Sequence, residues 1–332
     1  MRAVRHPAMP SAPQASTAPP NWVASRHPLG WLIDRLLQVG PLRGLLFQQA
    51  RRLIIRTAES RGIAWRARRQ ALVAEAEPLL NAVMCPELEP PPYYRVRFHA
   101  YDAGNLCWEA AGEAEQATDA MALRVWPDET LSPQAAQRRL REAIFAVVAP
   151  SLEGPLQRVL DVGCSVGVGT LALRDWLDQR GDRGAVVEGL DLSAPMLAVA
   201  RVRDREGRIA AWHHAAAEAS GLAAGSFDLI TLQFVCHELP QSATLAVLAE
   251  VGRLLRPGGT VALVDQDPQS SVIRRLPAPI ATLLKSTEPY LEEYFSLDLP
   301  AALQTAGFGS VRSQPCDPRH RVVVAQRMCV SA

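Results

Sequence analysis

Along the first half of this 332-residue chain, apolar side chains recur at helical spacing. In "HPLGWLIDRLLQVGPLRGLLFQQARRLIIRTAESRG", Leu32, Leu36 and Leu37, then Leu45, Leu46, Ile54 and Ile55, alternate with arginines on the other face, and Gly40-Pro41 divides the run into two helices. "AWRARRQALVAEAEPLLNAV" continues the pattern until the proline cluster of "CPELEPPPYY" ends it. The Ala-rich stretch from Asn105 to Val125 reads as a further helix. Another opens at Ser132-Pro133, with Ser132 as N-cap and Pro133 in the first turn. From residue 158 the period changes. "RVLDVG", "AVVEGLDLS", "IAAWHH", "FDLITLQFV" and "TVALVDQD" are short apolar runs that suit strands. Between them lie the helical "VGTLALRDWLDQRG", "APMLAVARVRDREG" and "SATLAVLAEVGRLLRPGG", the last stopped by Pro-Gly-Gly. Strands alternating with helices predict an α/β fold whose parallel sheet is covered on both faces. "LPAALQTAGFGSVRSQP" then reads as helix and strand and "HRVVVAQRM" as a last strand, the two strands pairing at one sheet edge.

Composition narrows the class. Hydrophobic residues make up 48% and charged residues 21% of the chain, as expected of a globular protein, and the formal net charge of +1 supplies no global field for nucleic acid or membrane. The first 28 residues, rich in Pro, Ala and Ser with Arg and no acid, are expected to be a disordered tail. A transit peptide shares that composition, so a plastid or mitochondrial destination stands beside a cytoplasmic one. Residues 29–130 form the helical extension and 131–332 the α/β domain. The basic amphipathic helices of the extension either pack on their own domain with solvated arginines or touch a membrane peripherally. The six cysteines form no C-x-x-C pair, which fits free thiols in a reducing compartment. His213-His214 has no third ligand at metal spacing, and no metal is expected.

The chemistry turns on "VLDVGCSVGVGT". Gly163 to Gly167 spells G-x-S-x-G, which on a strand-to-helix turn is the nucleophile elbow of a serine hydrolase, and Asp265 and His320 follow in the right order. Two requirements fail. No earlier strand or H-G-G-type loop supplies an oxyanion hole, and a hydrolase has no use for the acid that ends the next strand, Asp191. A nucleotide-binding loop explains more. A tight glycine turn at a helix N-terminus lets a ligand approach backbone N–H groups, and Asp191, 24 residues beyond Gly167, is placed to accept ribose hydroxyls. The loop is not G-x-G-x-x-G, and Asp161 sits where a strand should be apolar. A carboxylate there orders the loop or faces a cationic ligand, and S-adenosylmethionine carries both an ammonium and a sulfonium.

"VLDVGCSVGVGTLAL", "VEGLDLSAPMLAVA", "AAAEASGLAAGSFDLITLQFVCHEL" and "LAEVGRLLRPGGTVALVD" resemble the successive motifs of class I S-adenosylmethionine-dependent methyltransferases, most nearly the type 11 group that includes quinone-biosynthesis methyltransferases. The resemblance covers about residues 140 to 327. It implies a Rossmann-like seven-stranded sheet, mostly parallel with an antiparallel last strand, and S-adenosyl-L-methionine as cofactor. It places Asp161, Gly163, Ser165 and Gly167 around the methionine moiety, with Ser165 standing where the family has glycine. It puts Asp191 on the ribose, Leu192 against the adenine, Ala217 and Glu218 near the adenine, and Gln233 and Phe234 beside the methionine part. Ala216 stands where the family usually has Asp.

Methyl transfer from a sulfonium is an in-line displacement, so alignment does most of the work and a base is needed only for a hydroxyl or an acidic carbon. His237, with Glu238 beside it, follows the fourth strand on the rim where an acceptor would approach and is the candidate base. "QFVCHELP" replaces the N/D-P-P-Y/F of many amino-directed enzymes, which disfavours adenine or glutamine nitrogen as acceptor. In "STEPYLEEYFSLDL", Tyr290, Tyr294 and Phe295 either stack on an aromatic acceptor or fill a local core. "FHAYDAGNLCWEAA" gathers Tyr101, Asp102, Asn105 and Trp108 into a segment that covers the cofactor in related folds. The expected function is O- or C-methylation of a small apolar or aromatic acceptor. The rivals are an RNA or protein methyltransferase using the basic helices, and a non-catalytic cofactor-binding module.

Overall fold

A computed structural model describes Pro20 and residues 40–99 and 101–329; almost all of the expected tail, and the helix expected before Gly40, lie outside them. Five strands, β1 (Arg158–Val162), β2 (Val186–Asp191), β3 (Ala211–His214), β4 (Phe227–Gln233) and β5 (Leu255–Gln266), run parallel. With β6 (Phe308–Pro315) and β7 (His320–Arg327) they form one seven-stranded sheet in the order β3-β2-β1-β4-β5-β7-β6. β7 is antiparallel to both of its neighbours, so the expected terminal pair is present, with β7 inserted beside β5 and β6 at the edge.

The near-continuous apolar strands are explained by burial on two faces. Leu160, Ile230, Leu232, Val261, Leu263 and Val323 belong to one core, while their sequence neighbours Val159, Leu229, Ala262, Val264, Val322 and Val324 belong to another. Alternate residues point to opposite faces of a strand, so both sets need apolar side chains. The second core is closed by the helices Pro133–Val148 and Val168–Arg180, the first by Gln241–Leu254 and the helices that follow β5.

In chain order the described α-helices are α1 (Gly40–Ser60), α2 (Trp65–Ala76), α3 (Leu80–Val83), α4 (Trp108–Val125), α5 (Pro133–Val148), α6 (Val168–Arg180), α7 (Ala194–Arg203), α8 (Gln241–Leu254), α9 (Ser271–Arg274), α10 (Ala278–Thr287), α11 (Leu291–Ser296) and α12 (Leu299–Thr305). Ser132 Oγ accepts from Ala135 N at 3.2 Å, the expected cap. The helix expected from Asn105 begins at Trp108, because Gly104–Leu106 form a separate 3-10 turn and Cys107 Sγ takes the N-cap place. α8 stops at Leu254, ahead of the Pro-Gly-Gly expected to end it. Leu255 already pairs with Phe227, and the chain bulges before pairing resumes at Thr260. Proline lacks the N–H that either helix or ladder needs, and residue 257 falls inside that bulge. On α1, Ile55 and Ala58 are buried with Trp65, but Leu53 is 67% and Ile54 38% exposed, so among its described side chains the apolar face is narrower than the sequence pattern indicates. No described helix is long and apolar enough to cross a membrane.

Candidate active site

The carboxyl edge of the sheet carries two groups of polar residues. The first surrounds the turn between β1 and α6. Gly163 (φ 70°) and Gly167 (φ 75°) adopt left-handed backbone. A Cβ on Gly163 would lie 2.4 Å from Val235 Cγ2, and one on Gly167 2.7 Å from Trp212, so neither position admits a side chain. Ser165 is left-handed as well, at φ 50°. That costs a non-glycine residue about 1 kcal/mol. Its N–H donates to Asp191 Oδ2 at 2.7 Å and its hydroxyl to Met196 Sδ at 3.4 Å. The residues a hydrolase would need are engaged elsewhere: His320 Nδ1 pairs with Asp317 Oδ2 at 2.8 Å, and Asp265 pairs with His237.

Asp191 ends β2 with each carboxylate oxygen accepting one backbone N–H, from Ser193 on Oδ1 at 2.9 Å and from Ser165 on Oδ2. Each oxygen keeps a lone pair, which suits two vicinal hydroxyls. Burial raises its pKa to about 6 against the lowering effect of those N–H groups. Leu192 and the neighbouring turn are stapled to the N-terminal segment: His214 Nε2 donates to the Leu192 carbonyl at 3.0 Å, and His214 Nδ1 accepts from Cys85 N at 2.9 Å. Ala217 packs at the edge of the first core, and Glu218 Oε1 accepts from Tyr93 OH at 2.6 Å.

Asp161, 2% exposed, accepts from Thr170 Oγ1 (2.7 Å), Thr231 Oγ1 (2.6 Å) and Gln233 Nε2 (3.2 Å). Gln233 in turn accepts from the buried Arg141 at 2.6 Å. These two expected cofactor residues are thus tied to the protein itself. Of the two roles open to Asp161, ordering the loop is the one its partners show. Phe234 follows with φ 63°, a rare conformation for a bulky residue, and turns the chain sharply across the sheet edge.

That turn starts the second group. His237 Nδ1 lies 2.8 Å from Asp265 Oδ1, and its backbone N–H donates to Asp265 Oδ2 at 3.1 Å. Burial disfavours the imidazolium, yet Asp265 outweighs it with help from Glu288 and Glu238, and the pKa rises to about 10. Positive charge is therefore favoured here. His237 Nε2 faces Glu288 Oε2 at 3.8 Å. His99 Nε2 lies 4.0 Å from Glu288 Oε1 and 3.6 Å from Glu238 Oε1. Asn105 Nδ2 donates to Glu238 Oε2 at 2.8 Å, and Ser193 Oγ donates to the Asn105 carbonyl at 2.9 Å, so the N-terminal segment bridges the two groups. Burial raises the pKa of both Glu238 and Glu288 and lowers that of His99. Tyr294 is buried, edge-on to His237, with its hydroxyl on the Gln266 carbonyl at 2.7 Å. Phe295 is buried beside it, and Tyr290 OH donates to the Tyr93 carbonyl at 2.8 Å. Tyr101 donates to Glu113 and exposed Asp102 pairs with Arg97, both turned away from the cluster.

Sequence reasoning passed over His99 and Glu288. Each sits inside an aromatic stretch, "FHAYDAGN" and "STEPYLEEY", with no spacing that ties it to His237. Their meeting depends on the fold.

A Rossmann-like sheet with a glycine turn after β1 and an acid ending β2 defines a nucleotide-cofactor fold, whose ligands bind at the carboxyl ends of the strands. The methyltransferase-domain family model matches residues 159–259. An uncharacterized methyltransferase of Synechocystis is 32% identical over 48% of this chain and 69% of its own length. A ubiquinone biosynthesis O-methyltransferase of Xanthomonas campestris is 31% identical over 56% of this chain and 76% of its own. The chain spans only 42% of the enzyme so named from Aromatoleum aromaticum, at 36% identity. Among solved structures, a phosphoethanolamine N-methyltransferase of Haemonchus contortus in complex with S-adenosylhomocysteine superposes with a TM-score of 0.43 at 17% identity, over 57% of this chain and 52% of its own. The chain belongs to the class I S-adenosylmethionine-dependent methyltransferases. S-adenosylmethionine is the methyl donor of that family, and the left-handed glycine turn and the free lone pairs of Asp191 fit it.

Proposed function

We propose that this enzyme methylates a hydroxyl oxygen of a small aromatic acceptor. The observation that carries the reading is the second polar group: His237, oriented by Asp265, with His99, Glu238 and Glu288 around it, at the end of β4 where an acceptor meets the donor. Nitrogen acceptors need no such acid–base cluster, whereas a hydroxyl must lose its proton as it attacks. The O-methyltransferase names of the Xanthomonas and Aromatoleum relatives support an oxygen acceptor. The half-buried rings of Tyr94 and Tyr290, both packed on the buried Phe98, support an aromatic one.

S-adenosylmethionine supplies a methyl group activated on a sulfonium. Asp191 holds its ribose, and the Gly163–Gly167 turn, braced by Asp161, Arg141 and Gln233, seats its methionine part. His237 and its neighbours activate the acceptor's oxygen: the O–H bond breaks with its proton passing to the Glu238 carboxylate, whose pKa burial raises, the oxygen lone pair forms the new O–CH₃ bond, and the C–S pair stays on sulfur. Tyr294 and Asp265 keep the imidazole in place.

The test is label transfer. Incubation of the full chain with methyl-labelled S-adenosylmethionine and cell extract is expected to place label in an organic-extractable phenol ether. Label in RNA or protein, or no label beyond a heat-killed control, would overturn the proposal.

A further inference from the structure

We propose that His99, His237 and Glu288 form a binding site for a divalent transition-metal cation of zinc type, which holds the acceptor's oxygen. The proposal deepens the acceptor reading above and rests on it for the acceptor alone, because the site itself is built from geometry. One ligand atom from each of the three residues lies within 4.8 Å of the other two. Nδ1 of His237 is taken by Asp265 at 2.8 Å and Nδ1 of His99 by Asn105 Oδ1 at 3.3 Å. The Asn105 amide is itself oriented by donating to Glu238. Both imidazoles therefore turn Nε2 toward Glu288, with an oxygen acceptor fixing the opposite nitrogen. This is how metal-ligating histidines are held.

Nothing on the protein joins these atoms directly. At 3.8 and 4.0 Å the Nε2–carboxylate separations are too long for hydrogen bonds, and buried Glu288 Oε2 has no hydrogen-bond partner. Bonds of about 2.1 Å to a shared tetrahedral cation would put ligand atoms roughly 3.4 Å apart, so atoms now within 4.8 Å of one another need draw in by about 1.4 Å at most. Charge agrees. Asp265, Glu238 and Glu288 are three carboxylates facing two imidazoles, and the third oxygen contact, Glu238 Oε1 at 3.6 Å from His99 Nε2, adds to the demand for a cation.

The backbone is bent to the same end. His99 adopts φ 49°, costly for a histidine, and its N–H donates to the Thr287 carbonyl at 2.9 Å, which clamps it to the residue preceding Glu288. Its side chain is 35% exposed, leaving an open side for an oxygen ligand. Two imidazoles and one carboxylate with an open position suit zinc-type ions; magnesium and calcium prefer all-oxygen sets.

The probe is Co²⁺, added to the chelator-treated full chain and followed by visible absorption, with Zn²⁺ competition and Mg²⁺ as control. One equivalent of Co²⁺ should bind with an intense low-symmetry d–d band that Zn²⁺ removes and millimolar Mg²⁺ does not. His99→Ala and Glu288→Gln should each weaken binding by roughly a hundredfold while keeping S-adenosylmethionine affinity, which reports that they fold. No stoichiometric Co²⁺ on the wild type, or binding undiminished in both variants, overturns the site. A wild type that methylates an oxygen without taking cobalt overturns the cation alone. One that takes cobalt but methylates no oxygen overturns the acceptor reading alone.

Discussion

The two ends of the proposed site, one for the methyl donor and one for the acceptor, are built differently. The donor end is local. Asp161 to Gly167, Asp191 and Ser193 lie on consecutive strand-to-helix turns, and much of what they offer is backbone: N–H groups, left-handed turns and one acid that gathers them. The acceptor end is assembled from far apart. His99 precedes the sheet, His237 follows β4, Asp265 ends β5, and Glu288 comes from the helices beyond it. A backbone-built turn demands particular residues at particular spacings. A side-chain cluster needs only that the fold converge, so its parts carry no fixed spacing. The Asn105 segment is where the two meet, with its carbonyl on Ser193 and its amide on Glu238.

This contrast can be broken by substitution. The largest effect is expected at the acceptor end: His237→Gln should lower kcat by a hundredfold or more, with donor affinity retained. Next is Asp191→Ala, which removes two ribose contacts and strands the Ser165 and Ser193 N–H groups. It should weaken S-adenosylmethionine binding by about 3 kcal/mol, roughly a hundredfold, in calorimetry. Smaller is a pH effect on the same residue. The Asp191 pKa is raised to about 6, and ribose hydroxyls need the carboxylate. Donor affinity should therefore be full above pH 6 and fall about tenfold per unit below it, until the pKa of the bound state is reached. An affinity flat from pH 7 to 5 would place the ribose elsewhere. The smallest is Ser165→Gly, which relieves a left-handed φ and should change thermal stability by no more than about 1 kcal/mol, with donor affinity retained. A collapse of activity in that variant would return the serine hydroxyl to the chemistry.

The same contrast explains what could be read from residues alone. The succession of strands up to β5, the glycine turn and Asp191 follow from short-range spacing, so the alternating pattern is enough for a covered parallel sheet, whereas its seven-stranded form is what the family resemblance implies. Asp161 was visible as a polar residue in an apolar strand, but its partners Thr170, Thr231 and Gln233 show that it braces the loop. Tyr294 and Phe295 were legible as aromatic and not as buried, because nothing in "LEEYFS" says which side meets the core. His99 could not be reached at all. Its role depends on a strained φ and on a hydrogen bond to Thr287, and neither leaves a mark in sequence. Ile54 departs in the other direction: helical period groups it with Ile55, yet it is 38% exposed while Ile55 is buried.

The division into a donor end and an acceptor end is tested most directly by the S-adenosylmethionine dissociation constant, measured by calorimetry in the wild type, Asp191→Ala and His237→Gln side by side. The expected result is a loss of roughly a hundredfold in Asp191→Ala and wild-type affinity in His237→Gln. Equal losses in both, or an unchanged constant in Asp191→Ala, would contradict it.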